Sequence, residues 1–264
     1  MTVNYSSLST DFQFIRGEYT SAVDGATDWY ILHPGARPLC IVVLHGHGSH
    51  GDQLLTRGDL EDWRQCLKEL DATVVSPNLR DNAWMSPAAV DDLADLLKNL
   101  KAAHPWRHLV IASGSMGATG ALIFAIRHPE LVDGVVPLGA ATSLRSYIEW
   151  CDQPDRFPVI PEILAAIRQA YPTEEMLAMH DVRKHCDRLT MPVFFYHGEG
   201  DAIIPVSEAL DLAEQMKGKE NFHLTLIPCG GHDSPLPYFR EGMAKVLTAL
   251  GEPLPDGSVK ADRA

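Results

Sequence analysis

A ten-residue stretch at positions 109–118, Leu-Val-Ile-Ala-Ser-Gly-Ser-Met-Gly-Ala, constrains this chain more than any other. Its first part is a short run of β-branched and apolar residues, which predicts a buried strand. A turn of small residues follows with Ser115 at its tip. A helix is then expected over 118–126, where Ala, Leu, Phe and Ile suit a buried element that stops before His128-Pro129. So abrupt a passage from strand to helix forces unusual backbone angles, and Gly114 and Gly117 lack the Cβ atoms that would clash. The Ser115 hydroxyl is then exposed above the sheet, next to the positive end of a helix and to backbone N–H donors, as a serine nucleophile requires. The plainer reading is that small residues merely let a helix pack closely on a strand. Ser113 stands where the usual G-x-S-x-G pattern has its first glycine, so the rest of the chain has to decide.

Around this stretch, strands and helices alternate. An opening hairpin is expected from 12–19 and 27–33, joined at Asp24-Gly25. Continuous apolar runs at 39–44 and 72–76 read as strands buried on both faces, and 135–138, 193–196 and 222–227 as further strands. Helices are expected around 60–70, from Pro87 to Leu100, over 207–216 and over 238–250. This order predicts an α/β fold with a doubly wound, mostly parallel sheet, whose functional loops gather at the carboxyl ends of the strands. With 264 residues, 1–250 fits one domain. Residues 144–190 carry Pro154, Pro158, Pro161 and Pro172 between short helical stretches, too long for a plain connection, and are expected to form a small helical insertion or lid. A Pro- and Gly-containing tail at 251–264 is expected to be disordered.

Two more loops complete a constellation. After strand 193–196 comes His197-Gly198-Glu199-Gly200-Asp201, running on to Pro205, and after strand 222–227 comes Gly230-Gly231-His232. With His45-Gly46-His47-Gly48 after the first parallel strand, these pieces fall in the order loop, nucleophile, acid, histidine. From about residue 39 to 250 the sequence resembles the α/β-hydrolase superfamily, in its esterase and prolyl-oligopeptidase-like branch, which includes acetyl-xylan and feruloyl esterases. The resemblance implies a catalytic triad of Ser115 as nucleophile, His232 as general base and acid, and Asp201 as the residue that orients His232. It also implies an oxyanion hole from the backbone N–H groups of Met116 and His47. The substrate pocket is expected to be lined by His45, Gly46 and Gly48, and by Trp84, whose loop follows a strand on the same edge and whose alternative role is core packing. The expected enzyme is a serine carboxylesterase working through an acyl-enzyme on a small ester, with an acylated sugar one candidate. It needs no cofactor and no metal. Within this scheme His197 is expected to be structural, and Glu199 and Ser113 are the rival acid and rival nucleophile.

Other readings stay open. A serine peptidase or amidase would use the same machinery, but the chain has no room for the large extra domain of oligopeptidases. His45-x-His47-x-x-His50 resembles the metal loop of the metallo-β-lactamase family, which suggests a zinc hydrolase, although Ser49 replaces that family's Asp. A hydrolase-like binding protein is the third alternative. A formal net charge of −13 argues against nucleic acid or an anionic membrane as partner, no apolar run is long enough to span a bilayer, and oligomeric state is not legible. No basic and apolar leader opens the chain, and its five cysteines are scattered without C-x-x-C spacing, so the expected location is the cytoplasm.

Overall fold

The structure is a computed structural model that describes residues 12–253. Eight strands form one sheet in the order β1-β2-β4-β3-β5-β6-β7-β8. The first two, β1 (Ile15–Thr20) and β2 (Thr27–His33), make an antiparallel hairpin. β3 (Leu39–Val42) leads through the short α1 (Gln53–Thr56) into α2 (Glu61–Leu70), and β4 (Thr73–Pro77) leads into α3 (Pro87–Ala103). Then come β5 (His108–Gly114), α4 (Met116–Arg127) and β6 (Gly134–Leu138). β2 pairs antiparallel with β4, and every later pairing is parallel.

Between β6 and β7 (Val193–Gly198) lie α5 (Leu144–Cys151), α6 (Ile160–Ala170) and α7 (Glu174–Met179). α8 (Ser207–Gln215), β8 (Phe222–Ile227) and α9 (Phe239–Ala249) complete the fold. No helix among the described residues is long and apolar enough to cross a membrane.

The period of two along each parallel strand divides the core. Cys40, Val42, Leu109 and Ile111 pack on one face with Leu93 and Leu97 of α3 and Leu122 of α4. Leu39, Ile41, Val110 and Ala112 pack on the other with Trp63 of α2 and Phe239 and Met243 of α9. Helices on both faces make the sheet doubly wound, as its uninterrupted apolar strands require.

Several boundaries differ from the sequence-based expectation, and three of them bear on the site or the core. The ladder of β3 stops at Val42, although the Val43 N–H still donates to Val75 O at 2.9 Å; the next N–H, of Leu44, goes to the Ser113 hydroxyl instead of a strand neighbour. Phe12 and Phe14 do not extend β1; they turn into the core beneath it. α4 begins at Met116 rather than 118, so its amino end abuts Ser115 directly. At the carboxyl end, Glu252 is buried and ion-paired with Arg37 and Arg107; the rest of the expected tail, 254–264, lies outside the described residues.

Candidate active site

Ser115 stands between β5 and α4 at φ 57°, ψ −126°, a conformation costly for any side chain and stable only where the surroundings enforce it. The enforcement is visible at Gly117, where a Cβ would lie 2.3 Å from the carbonyl oxygen of Leu44. The helix and the loop after β3 approach each other so closely that only glycine fits. Ser113 supplies the second tie. Its fully buried hydroxyl accepts a 2.8 Å bond from the Leu44 N–H. The departure from the expected glycine thus anchors the neighbouring loop, and the rival nucleophile has no access to a substrate.

That loop passes over Ser115, with a Cβ on Gly46 falling 4.0 Å from the Ser115 Cβ. Its shape is held by Gln53, which sequence reasoning missed. The buried Gln53 amide donates to Leu44 O at 3.1 Å and accepts from Gly46 N at 3.1 Å. Gln53 follows Asp52 and precedes Leu54 and Leu55, so only a polar amide at the head of an apolar pair could have signalled it. Gly48, at φ 75°, donates its N–H to Asn82 Oδ1 at 2.8 Å.

Asp201 and His232 come from the ends of β7 and β8. Asp201 Oδ1 accepts from the N–H groups of Ile203 and Ile204 at 2.8 and 2.9 Å, which fixes the carboxylate before it meets its partner. Its Oδ2 takes the Nδ1–H of His232 at 2.8 Å, and the Ser115 hydroxyl faces His232 Nε2 at 2.9 Å. Close approach of the two loops depends on Gly198, where a Cβ would meet Gly230 O at 2.4 Å. Glu199, the rival acid, is exposed and its side chain takes no part. His197 is fully buried, donates Nε2–H to Ile204 O at 2.9 Å and lies 3.5 Å from Asp201 Oδ2; burial lowers its pKa and keeps it neutral.

The remaining predicted residues surround this array. Both ring nitrogens of His45 face backbone carbonyls, of Gly46 at 2.9 Å and Asn78 at 2.8 Å, and burial lowers its pKa. His50 instead faces Asp81 from the surface, at 3.2 Å. His47 Nδ1 accepts from the indole N–H of Trp84 at 3.2 Å. The three imidazoles therefore do not converge, and among the described residues no group of three or more His, Cys, Asp or Glu is placed to hold a metal ion. His45 and Trp84 line a small cavity with Leu79, Met85 and Met116; Gly46 and Gly48 do not line it. Trp84 is only 1% exposed, so its indole supports the loop from behind and offers solvent almost nothing.

The chain belongs to the alpha/beta hydrolase fold family, whose model matches residues 40–175, just over half of its length. A pimeloyl-[acyl-carrier protein] methyl ester esterase of Vibrio vulnificus is 21% identical over 229 residues, covering 70% of this chain and 85% of that protein. Among solved structures, the fluorophosphonate-binding serine hydrolase FphF of Staphylococcus aureus superposes with a TM-score of 0.69 at 16% identity, covering 91% of this chain and 98% of that one. An esterase of Pyrococcus furiosus gives 0.67 at 16% identity, covering 90% and 93%. A puromycin-hydrolyzing peptidase of Mycobacterium tuberculosis gives 0.69 at 15% identity, with 93% of this chain matched to 41% of that longer one. The structural likenesses share the fold that this family defines, and the proteins they come from include esterases and a peptidase.

Proposed function

We propose that the protein is a serine carboxylesterase that cleaves a small ester through an acyl-enzyme. The observation that carries this reading is the unbroken hydrogen-bonded line Asp201–His232–Ser115, at 2.8 and 2.9 Å, with the serine in a strained turn at the head of a helix.

In the proposed reaction, His232 Nε2 takes the Ser115 proton as Oγ attacks the ester carbonyl carbon. Asp201 holds the proton on Nδ1 and stabilises the imidazolium that forms. The first amides of α4 have no partner inside the helix, so the Met116 N–H is free to meet the developing oxyanion, with the His47 N–H of the overlying loop as the second donor. His232 then protonates the leaving alkoxide, and the same steps with water release the acid. The esterases among its relatives favour an ester over an amide.

Hydrolysis of p-nitrophenyl acetate by three variants tests the reading. Ser115→Ala and His232→Ala should each lower kcat on the order of 10^4-fold or more, and Asp201→Asn by a similar order with the fold intact. An Asp201→Asn enzyme as fast as the parent would remove Asp201 from the mechanism. Activity abolished by a chelator and restored by zinc would replace the serine mechanism with a metal one.

A further inference from the structure

We infer that α6 positions the oxyanion loop from two sides, through the Tyr171 hydroxyl acting by way of Trp84 and through the Glu162 carboxylate facing His47. The inference rests on the serine-esterase reading, because it assigns the His47 N–H a place in that reaction.

The chain of contacts begins deep in the segment between β6 and β7. Tyr171, the residue that ends α6, is buried, and its hydroxyl lies 2.9 Å from Trp84 O and 2.6 Å from Met85 O. Both carbonyls are acceptors, so the phenol's single proton is shared between them, with Met85 O the nearer. Its oxygen in turn accepts from Nδ1 of His180, the residue that ends α7, at 3.1 Å. The ring of His180 meets the tyrosine edge-on, with centroids 5.5 Å apart. Burial holds Tyr171 protonated and His180 neutral, with a pKa lowered to about 4, so donor and acceptor keep these roles at neutral pH.

What Tyr171 grips is a strained segment. Trp84 and Met85 stand at φ 46° and 55°, left-handed values that large side chains adopt only when held. With its backbone fixed there, Trp84 aims its indole N–H at His47 Nδ1. That bond puts the His47 proton on Nε2, which faces Glu162 Oε1 at 3.4 Å. Glu162 sits in the first turn of α6 and Tyr171 at the helix's end. The imidazole of His47 is therefore set between an indole that α6 controls through Tyr171 and a carboxylate that α6 carries. Ring and peptide of His47 move together, and its neighbour Gly46 is the residue that passes over Ser115. A misplacement of about 1 Å would weaken the bond from the His47 N–H to the oxyanion.

Two variants test this with readouts that loss of stability alone would not produce. Tyr171→Phe keeps the ring and removes only the hydroxyl; Glu162→Ala changes an exposed side chain. Initial rates on p-nitrophenyl acetate, taken well below each variant's thermal midpoint, should show kcat lowered by about tenfold in Tyr171→Phe and by roughly threefold in Glu162→Ala, with KM within about twofold of the parent. Both are fractions of the 10²–10³-fold that a lost oxyanion donor costs. Either variant, folded and with kcat equal to the parent's, overturns the inference, as does a loss confined to KM or to the thermal midpoint. If Tyr171→Phe does not fold, Glu162→Ala decides alone. A parent enzyme that neither hydrolyses the ester nor reacts with a fluorophosphonate at Ser115 overturns the esterase reading and this inference with it. A reactive parent with unaffected variants overturns the inference only.

Discussion

Two serines two positions apart divide the work at the centre of this molecule. Ser115 is held in a conformation that exposes its hydroxyl, and Ser113 is turned inward to hold the loop above it. Ser113→Ala should leave the Leu44 N–H buried without a partner, at a cost of about 1–3 kcal/mol in unfolding free energy. Reaction at Ser115 should persist, which denaturant titration and labelling together would show. Gly117→Ala has a harsher expectation, because the new methyl meets backbone at 2.3 Å. Overpacking of this kind costs about 1–3 kcal/mol, and moving the loop from Ser115 should also lower kcat.

Ser115, Asp201 and His232 could be placed at the carboxyl edge of the sheet because each follows an apolar strand, while the choice of Asp201 over Glu199 came from the resemblance to the α/β-hydrolase pattern. The role of Ser113 was not, since its partner lies 69 residues away in sequence and nothing in a local pattern reports a tie across the sheet.

Among elements, the helices between β6 and β7 are joined to the fold by a buried carboxylate. Glu208, near the start of α8, is 2% exposed. It accepts from the N–H groups of Thr142 and Ser143 at 2.8 and 3.0 Å and from the Ser146 hydroxyl at 2.6 Å, and it pairs with Arg183 at 2.7 Å. Glu208→Ala leaves Arg183 only its second carboxylate, Asp211 at 2.8 Å, and strips the acceptor from several buried donors, which costs about 1–3 kcal/mol. Thermal or chemical unfolding would measure it.

The insertion at 144–190 was visible in its prolines, but its anchoring was not, because the groups that fix it are single polar residues scattered over several elements. The same holds for the loop after β4. Leu79, Arg80 and Asp81 are left-handed at φ 46°, 62° and 55°, which their residue types do not announce. The cause is distant. The Arg80 N–H donates to Asp28 at 2.6 Å, and its guanidinium binds Asp24, Asp92 and Ser21 at 2.6–3.0 Å.

At the scale of the whole molecule, several histidines are buried as neutral rings. Burial lowers the pKa of His45, His47, His180 and His197, and takes His180 to about 4. The unfolded chain, where histidine titrates near its usual 6.5, binds these protons first as the pH falls. Each ring therefore contributes stability that is complete above about pH 6.5 and is lost as the pH drops toward its folded value. For His180 the full effect is of order 3 kcal/mol. The stability gap between the parent and a His180→Gln variant, followed by denaturant titration, should narrow steadily from pH 6.5 to 4. A gap independent of pH would mean that His180 is not buried neutral. The same comparison cancels the change in repulsion among the carboxylates that dominate a chain of net charge −13.

The central proposal is that Ser115 is an activated nucleophile, and covalent labelling tests it most directly. The folded protein is treated with a fluorophosphonate and read by intact mass and peptide mapping. A single adduct on Ser115, lost in His232→Ala, is the expected result. A folded protein that takes up no label, or takes it elsewhere, would contradict the assignment of Ser115, His232 and Asp201 as a working triad.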